Sequence, residues 1–416
     1  MECKISEAAI AETAANPRTE PRPVLRPEAL AAPDSGIVEV FNYCRGREGL
    51  IPLFVGEGDL PAPAFITDAA IQSIANGETF YTYQRGIPDL REAIAHYMAR
   101  HYGQPFEKRV TPFAPDRFFV TIGGMHALQI AIRLIAGLGD EVIVPTPAWP
   151  NFYGALTVSG ARPIEVPLRF TEKADWSLDL DRMAAAITPK TRALIVNSPA
   201  NPTGWIATHE DLKNLLGLAR QHGLWIIADE IYGRIVFDEA RAPSFHDVME
   251  KDDSILFIQT FSKNWAMTGL RLGWLEAPPR LASVIENLVQ YSTSGVAAPW
   301  QRAGVAALNQ GEAFFANALQ RVKTSRDILY DGLIETGRVV AARPRGAFYL
   351  FCRIEGESDT RALALRLVDE ANVGVAPGTA FGAGGADFLR LCFARDPSLI
   401  AEATRRLSSW LGRRAR

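Results

Sequence analysis

The chain has 416 residues, 48% of them apolar and 22% charged, with a formal net charge of −3. That length suggests two or three domains, and the composition is that of an ordinary globular protein with a sizeable core. The near-neutral balance gives no reason to expect nucleic-acid binding, and no apolar run approaches the roughly 18 residues a membrane helix needs.

Residues 1–30 read as a mobile leader rich in Ala, Pro and Glu, without the basic start and apolar middle of a secretory signal. The four cysteines, Cys3, Cys44, Cys352 and Cys392, have neither metal-ligand nor redox spacing. They read as free thiols of a reducing compartment, which predicts a cytoplasmic protein and no metal site. Pro88 opens a predicted helix that runs to Tyr102, with Gly103 as its stop. Strands are predicted at Phe118–Ile122, Glu141–Pro145, Ala193–Asn197, Leu224–Asp229 and Ile255–Gln259. A helix is expected over His126–Ala136, and another starting at the capping pair Thr208 and Asp211. The strands are short, β-branched and apolar on both faces. This is the α/β pattern of a mostly parallel sheet covered by helices, expected over residues 65–298.

After Pro299 the pattern changes. A long helix to about Leu333, short strands at Gly346–Arg353 and Phe388–Phe393, and helices at Thr360–Ala371 and Ser398–Leu411 predict a smaller α+β domain. That domain is expected over residues 299–416, joined by residues 31–64 returning from the N-terminus. Arg405, Arg406, Arg413 and Arg414 read as a solvated helical face.

The chemically distinctive residues follow the predicted strands: Gly123-Gly124, Pro145-Thr146-Pro147, Asn201, Asp229 and Lys263. Ligands of open α/β sheets bind outside the carboxyl ends of the strands, so these groups are expected to converge on one crevice. A lysine usually lies on solvated surface. Lys263 instead sits in an apolar, glycine-rich segment, with Thr260 three residues before it and Arg271 eight after. A lysine amine can form a Schiff base with an aldehyde cofactor, and a hydroxyl with a guanidinium suits a phosphate. Asp229 ends a buried strand, where an ionised carboxylate needs a cation; read alone it also fits a cap for the next element. A protonated pyridine nitrogen would supply that cation, and Tyr232, three residues on, would be a donor for a ring oxygen. Asn201 sits in a proline- and glycine-punctuated turn as a fixed amide donor. Gly123-Gly124 would let backbone N–H groups approach a phosphate. Trp149 reads as core or as a ring-stacking indole. Arg390 interrupts an apolar strand and needs a carboxylate, either a structural partner or a substrate.

Three segments in this order, Asn201-Pro202-Thr203-Gly204, Ala228-Asp229-Glu230-Ile231-Tyr232 and Ser262-Lys263 followed by Thr268-Gly269-Leu270-Arg271-Leu272-Gly273, resemble the class I/II aminotransferases of the fold type I pyridoxal-phosphate superfamily. The resemblance runs from about Ser35 to Leu411. It implies a large domain with a mostly parallel sheet, a smaller α+β domain and pyridoxal 5'-phosphate as cofactor. The reaction it implies moves an amino group from an L-amino acid to a 2-oxo acid. A lyase, cyclase or elimination enzyme on the same scaffold stays open. Residue by residue, it implies Lys263 as the Schiff-base lysine and proton shuttle, and Asp229 on the ring nitrogen. Asn201 and Tyr232 would serve the phenolic oxygen, and Gly124, Met125, Thr260 and Arg271 the phosphate. Trp149 would stack on the ring, and Arg390 with the Gly56 backbone would hold the substrate carboxylate. Tyr81 is similar to a tyrosine that reaches the partner's phosphate, which implies a homodimer with shared sites. Two positions depart from the family pattern. Gly58 stands where a proline is usual, and Met125 stands where one aspartate-specific branch has a lysine, which favours an apolar or neutral side chain for one substrate.

Overall fold

The computed structural model of the chain describes residues 24–103, 113–171 and 175–413. Residues 1–23 of the expected leader, Cys3 and Arg414 lie outside them. The rest of the leader includes one helical turn, Pro27–Leu30, set against the helix Pro150–Ser159. Among the described residues no helix is long and apolar enough to cross a membrane.

The large sheet contains β1 (Phe118–Thr121), β2 (Glu141–Thr146), β3 (Arg162–Pro167), β4 (Thr191–Asn197), β5 (Trp225–Asp229), β6 (Ile255–Thr260) and β7 (Gly273–Glu276). Their spatial order is β1-β7-β6-β5-β4-β2-β3. All run parallel except β7, which pairs antiparallel with both β1 and β6. Every residue of β1, β6 and β7 is buried, as expected for strands covered on both faces. Because β7 runs backwards, its first residues lie at the same rim as the carboxyl ends of its neighbours. Arg271, just before β7, therefore meets residues that follow parallel strands.

Helix starts follow their local chemistry. The helix Pro88–Tyr102 has the predicted bounds, with proline in its first turn and Gly103 at φ +71° beyond its end. Thr208 and Asp211 form the reciprocal capping box of His209–His222. The helix after β1, Gly123–Ile135, begins three residues earlier than predicted, so the paired glycines are its first turn.

The helix expected to continue to Leu333 is instead two helices, Ala298–Gln310 and Glu312–Ile334. They break at Gly311, where an added Cβ would strike Ala307 O and the Trp265 indole. Ala298–Gln310 packs on Ala64–Ala75 and Pro88–Tyr102, beside the large sheet, whereas Glu312–Ile334 packs on Pro397–Arg413. We therefore propose the division between the two packing units at Gly311 rather than before Pro299. The second sheet has the order Val339–Ala341, Tyr349–Ile354, Leu389–Cys392, Ala376–Pro377 and is antiparallel throughout. The N-terminal segment returns to it: Gly36–Cys44 packs on Thr360–Ala371, and Ile51–Pro52 pairs with Val373–Gly374. One arginine departs from the solvated reading. Arg406 pairs with Glu402 and donates to the carbonyls of Gly49 and Asn372, tying the C-terminal helix to that returning segment.

Candidate active site

A crevice of about 550 Å³ opens over the carboxyl ends of β1, β4, β5 and β6. It gathers Gly124, Asn201, Asp229 and Lys263 from after the strands, together with Arg271, Arg390 from the second sheet and Gly56 from the returning segment, whereas Gly123 and Pro145-Thr146-Pro147 do not line it. Tyr81 is not among them: it lies in the loop before Pro88 and is 94% exposed.

Lys263 follows β6 and reaches back across the chain, where Nζ donates to Gly56 O at 2.7 Å. Burial pulls its pKa down from the ordinary lysine value to about 8, and the positive charges of Arg390 and Arg271 act in the same direction. The segment after it is strained. Ala266 and Arg271 both have left-handed backbones, at φ +53° and +51°, a conformation that costs an ordinary residue on the order of 1–2 kcal/mol.

Asp229 is 2% exposed and accepts from Ile231 N–H at 3.3 Å. Burial raises its pKa to about 7, and the neighbouring charge of Glu230 pushes the same way. No ion pair neutralises it among the described residues. Tyr232, also buried, shares a hydrogen bond of 2.8 Å with the hydroxyl of Tyr349. The two hydroxyls use one proton between them and keep one to donate outward.

Arg390 is buried, with its guanidinium over the rings of Tyr349 and Phe381 at 4.7 and 4.9 Å. Its Nη1 donates to Asn201 Oδ1 at 3.1 Å and its Nη2 to Phe54 O, while Nε has no partner. The structural salt bridge weighed for Arg390 is absent among the described residues. An arginine held dry without a carboxylate is a site for one. Because Arg390 takes Asn201 Oδ1, the amide NH₂ of Asn201 remains for another acceptor.

The other end of the crevice is built for an anion. No side chain caps the helix Gly123–Ile135, which leaves first-turn N–H groups facing outward. Arg271 lies so close that a Cβ on Gly123 would meet its Nη2 at 2.7 Å. Thr260 does not keep its hydroxyl proton for a ligand, since it donates to Ser262 Oγ at 2.9 Å or to Leu272 O at 3.2 Å. Ser262, which lines the crevice and accepts from Thr260, is left with the free donor. Sequence reasoning passed over Ser262 and Tyr349; the adjacency of Ser262 to Lys263 was the signal available for the first. Trp149 stands over the start of the helix Pro150–Ser159, edge-on to Phe152 at 5.5 Å. Met125 takes a weak contact from Asn151 Nδ2 at 3.6 Å.

Comparison with known proteins agrees with this geometry. Residues 48–407 match the family "Aminotransferase class I and II". The aromatic-amino-acid aminotransferase 2 of Thermococcus litoralis is 31% identical over 91% of this chain and 95% of its own. The aspartate aminotransferase of Geobacillus stearothermophilus is 32% identical over 88% and 92%. The structure of the Thermus thermophilus aspartate aminotransferase with maleate superposes with a TM-score of 0.84, at 32% identity, over 93% of this chain and all of that one. A crevice with a half-buried lysine, a buried carboxylate and a buried arginine without an ion pair thus lies in a chain that matches this family along most of its length, and the protein belongs to the class I and II aminotransferases as a transaminase.

Proposed function

We propose that this transaminase holds pyridoxal 5'-phosphate in the crevice through Lys263 and moves the amino group of an L-amino acid to a 2-oxo acid. The amine of Lys263 carries this reading: it faces the crevice, rests on the Gly56 carbonyl, and has a pKa near 8 that makes it a usable nucleophile and base.

The donor set fits that cofactor. Asp229 is a buried carboxylate in need of a cation, which a protonated pyridine nitrogen supplies. The uncapped helix start at Gly124 and Met125, the Ser262 hydroxyl backed by Thr260, and Arg271 suit a phosphate. Trp149 offers an indole face, and Asn201 and Tyr232 have donors left for a phenolic oxygen. Bound there, the cofactor supplies an electron sink for the bond broken at the substrate's α-carbon.

The chain's own residues do the rest. Arg390 grips the α-carboxylate in a dry, ring-lined slot, which fixes the orientation of the α-carbon. Lys263, with its depressed pKa, takes the α-proton and returns it. The cations lining the crevice are Lys263, Arg271 and Arg390, each already assigned, while Ile37, Val38, Phe41 and Met125 contribute apolar surface. A distal carboxylate finds no further cation among the described residues that line the crevice, so we assign one substrate an apolar or neutral side chain.

A homodimer in the cytoplasm completes the proposal. Phe80, Tyr81, Tyr83 and Tyr291 are all at least 66% exposed. Hydrogen bonds from Gln84 to Gln290 and from Thr82 to Val296 O bring their two loops together. A second copy would cover this patch and receive Tyr81 at its phosphate end.

The test is the visible absorption of the purified protein during titration with single amino acids. A cofactor band that bleaches with a donor and returns with a 2-oxo acid is expected. A band indifferent to every donor, or one whose loss releases ammonia or pyruvate, would overturn the transfer reaction. No band after added pyridoxal 5'-phosphate would overturn the cofactor.

A further inference from the structure

Glu230 follows Asp229 in the chain but does not line the crevice. Its buried carboxylate accepts from the Ser244 hydroxyl at 2.6 Å and from Phe245 N–H at 3.1 Å. The contacts continue inward. Ser244 Oγ is 2.8 Å from His246 Nδ1, His246 Nε2 is 2.9 Å from Glu276 Oε2, and Arg117 Nε donates to Glu276 Oε1 at 3.0 Å. These five side chains are each at most 4% exposed, and Phe257 stacks on the His246 ring at 3.8 Å.

Charges buried this deeply must balance. Ser244 gives its single hydroxyl proton to Glu230, and Phe245 N–H is a second donor to the same carboxylate. Arg117 faces Glu276, and the His246 ring lies between Glu276 and Ser244. Asp229 is left over, with a backbone N–H and no ion pair among the described residues. Glu230 cannot neutralise it and adds negative charge beside it. A negative charge on the next residue favours retention of a proton at Asp229. The other titratable groups around this pair are Lys263, Tyr232 and Tyr349 on the crevice side, and Asp247, Arg241 and Tyr102 around Glu230.

We propose that Glu230 is a positioning residue for the cofactor ring, a second buried carboxylate that keeps a proton shared between Asp229 and the ring nitrogen. This rests on the pyridoxal-phosphate reading above. Removing the Glu230 charge weakens the hold on that proton, and only a ligand with a ring nitrogen feels the loss.

The experiment compares dissociation constants of pyridoxal 5'-phosphate and of its carbocyclic analogue, with C–H in place of the ring nitrogen, for apo wild type and apo Glu230→Gln. Binding of pyridoxal phosphate is expected to weaken about tenfold in the variant, and the carbocycle by less than about twofold. Equal weakening of both, or of neither, overturns the proposal, because a purely structural Glu230 would not distinguish the rings. Should Glu230→Gln fail to fold, Ser244→Ala removes the hydroxyl that holds the carboxylate, and the same discrimination is expected at a smaller size. Wild type that binds neither compound overturns the cofactor reading, and this inference with it.

Discussion

Two sets of buried charge meet at the end of β5, and the chain treats them in opposite ways. On the inner side, Arg117, Glu276, His246 and Glu230 pair off through hydrogen bonds of 3.1 Å or less, counting the Ser244 hydroxyl and the Phe245 N–H. On the crevice side, Asp229, Lys263 and Arg390 have backbone or amide partners but make no ion pair among the described residues. The inner groups satisfy one another, whereas the crevice groups do not. Leaving them unbalanced keeps binding free energy available for groups that arrive later, at a cost to stability. Buried charge alone therefore does not mark a site; buried charge without its counter-charge does.

The contrast can be broken by mutation, because the crevice set should report on activity and the inner set on stability. Lys263→Ala is expected to lower turnover by at least about a thousandfold in an assay of 2-oxo-acid formation. Its melting temperature should stay level or rise, since a half-buried cation without a counter-charge is removed. A wild-type rate in that variant would end the assignment of Lys263. Glu276→Ala should do the reverse, costing about 3–5 kcal/mol by leaving Arg117 and His246 buried without their carboxylate, as read by denaturant unfolding. A loss below about 1 kcal/mol would mean that water or rearrangement replaces the pairing.

Asp229 sharpens the contrast through pH. Its folded-state pKa of about 7 lies above its ordinary value of 3.8, so folding favours the protonated form. The apo protein should lose stability as pH rises from 4 to 7, by on the order of 4 kcal/mol from this group, with the whole penalty present above pH 7. Apo Asp229→Asn lacks that slope, so its melting temperature should gain on wild type between pH 5 and pH 8. A constant difference would place a compensating cation beside Asp229. The smallest effect concerns specificity. Met125→Lys sets an ammonium in the crevice and should improve kcat/KM for aspartate over an apolar donor by about tenfold, roughly 1.4 kcal/mol. No change would mean that the substrate side chain lies away from Met125.

Much of the large sheet was legible. β1, β2, β4, β5 and β6 are short apolar runs ending in turn residues, and that pattern survives without neighbours. β3 was not read, because it is an edge strand whose side chains are mostly exposed or half-buried, which removes the apolar signal. β7 was hidden inside the motif around Arg271, and its antiparallel direction depends on pairing with β1 and β6. In the site, Lys263, Asp229, Asn201 and Arg390 stood out because each is a polar group in an apolar or turn context that would otherwise be costly. Ser262 and Tyr349 did not, since a serine and a tyrosine are ordinary anywhere and only their partners give them work.

By itself, then, the sequence determined the strand-and-turn grammar of the large sheet and the local motifs that put a lysine, a carboxylate and an amide at strand ends. These depend on neighbours within a few residues. The tertiary structure alone decided that the Thr260 hydroxyl meets the Leu272 carbonyl, and that Tyr232 shares a proton with Tyr349, 117 residues away. It also decided that Arg390 meets Asn201, 189 residues away, and finds no carboxylate among the described residues. Whether a buried charge is balanced depends on groups brought together by packing, and no local pattern carries that information.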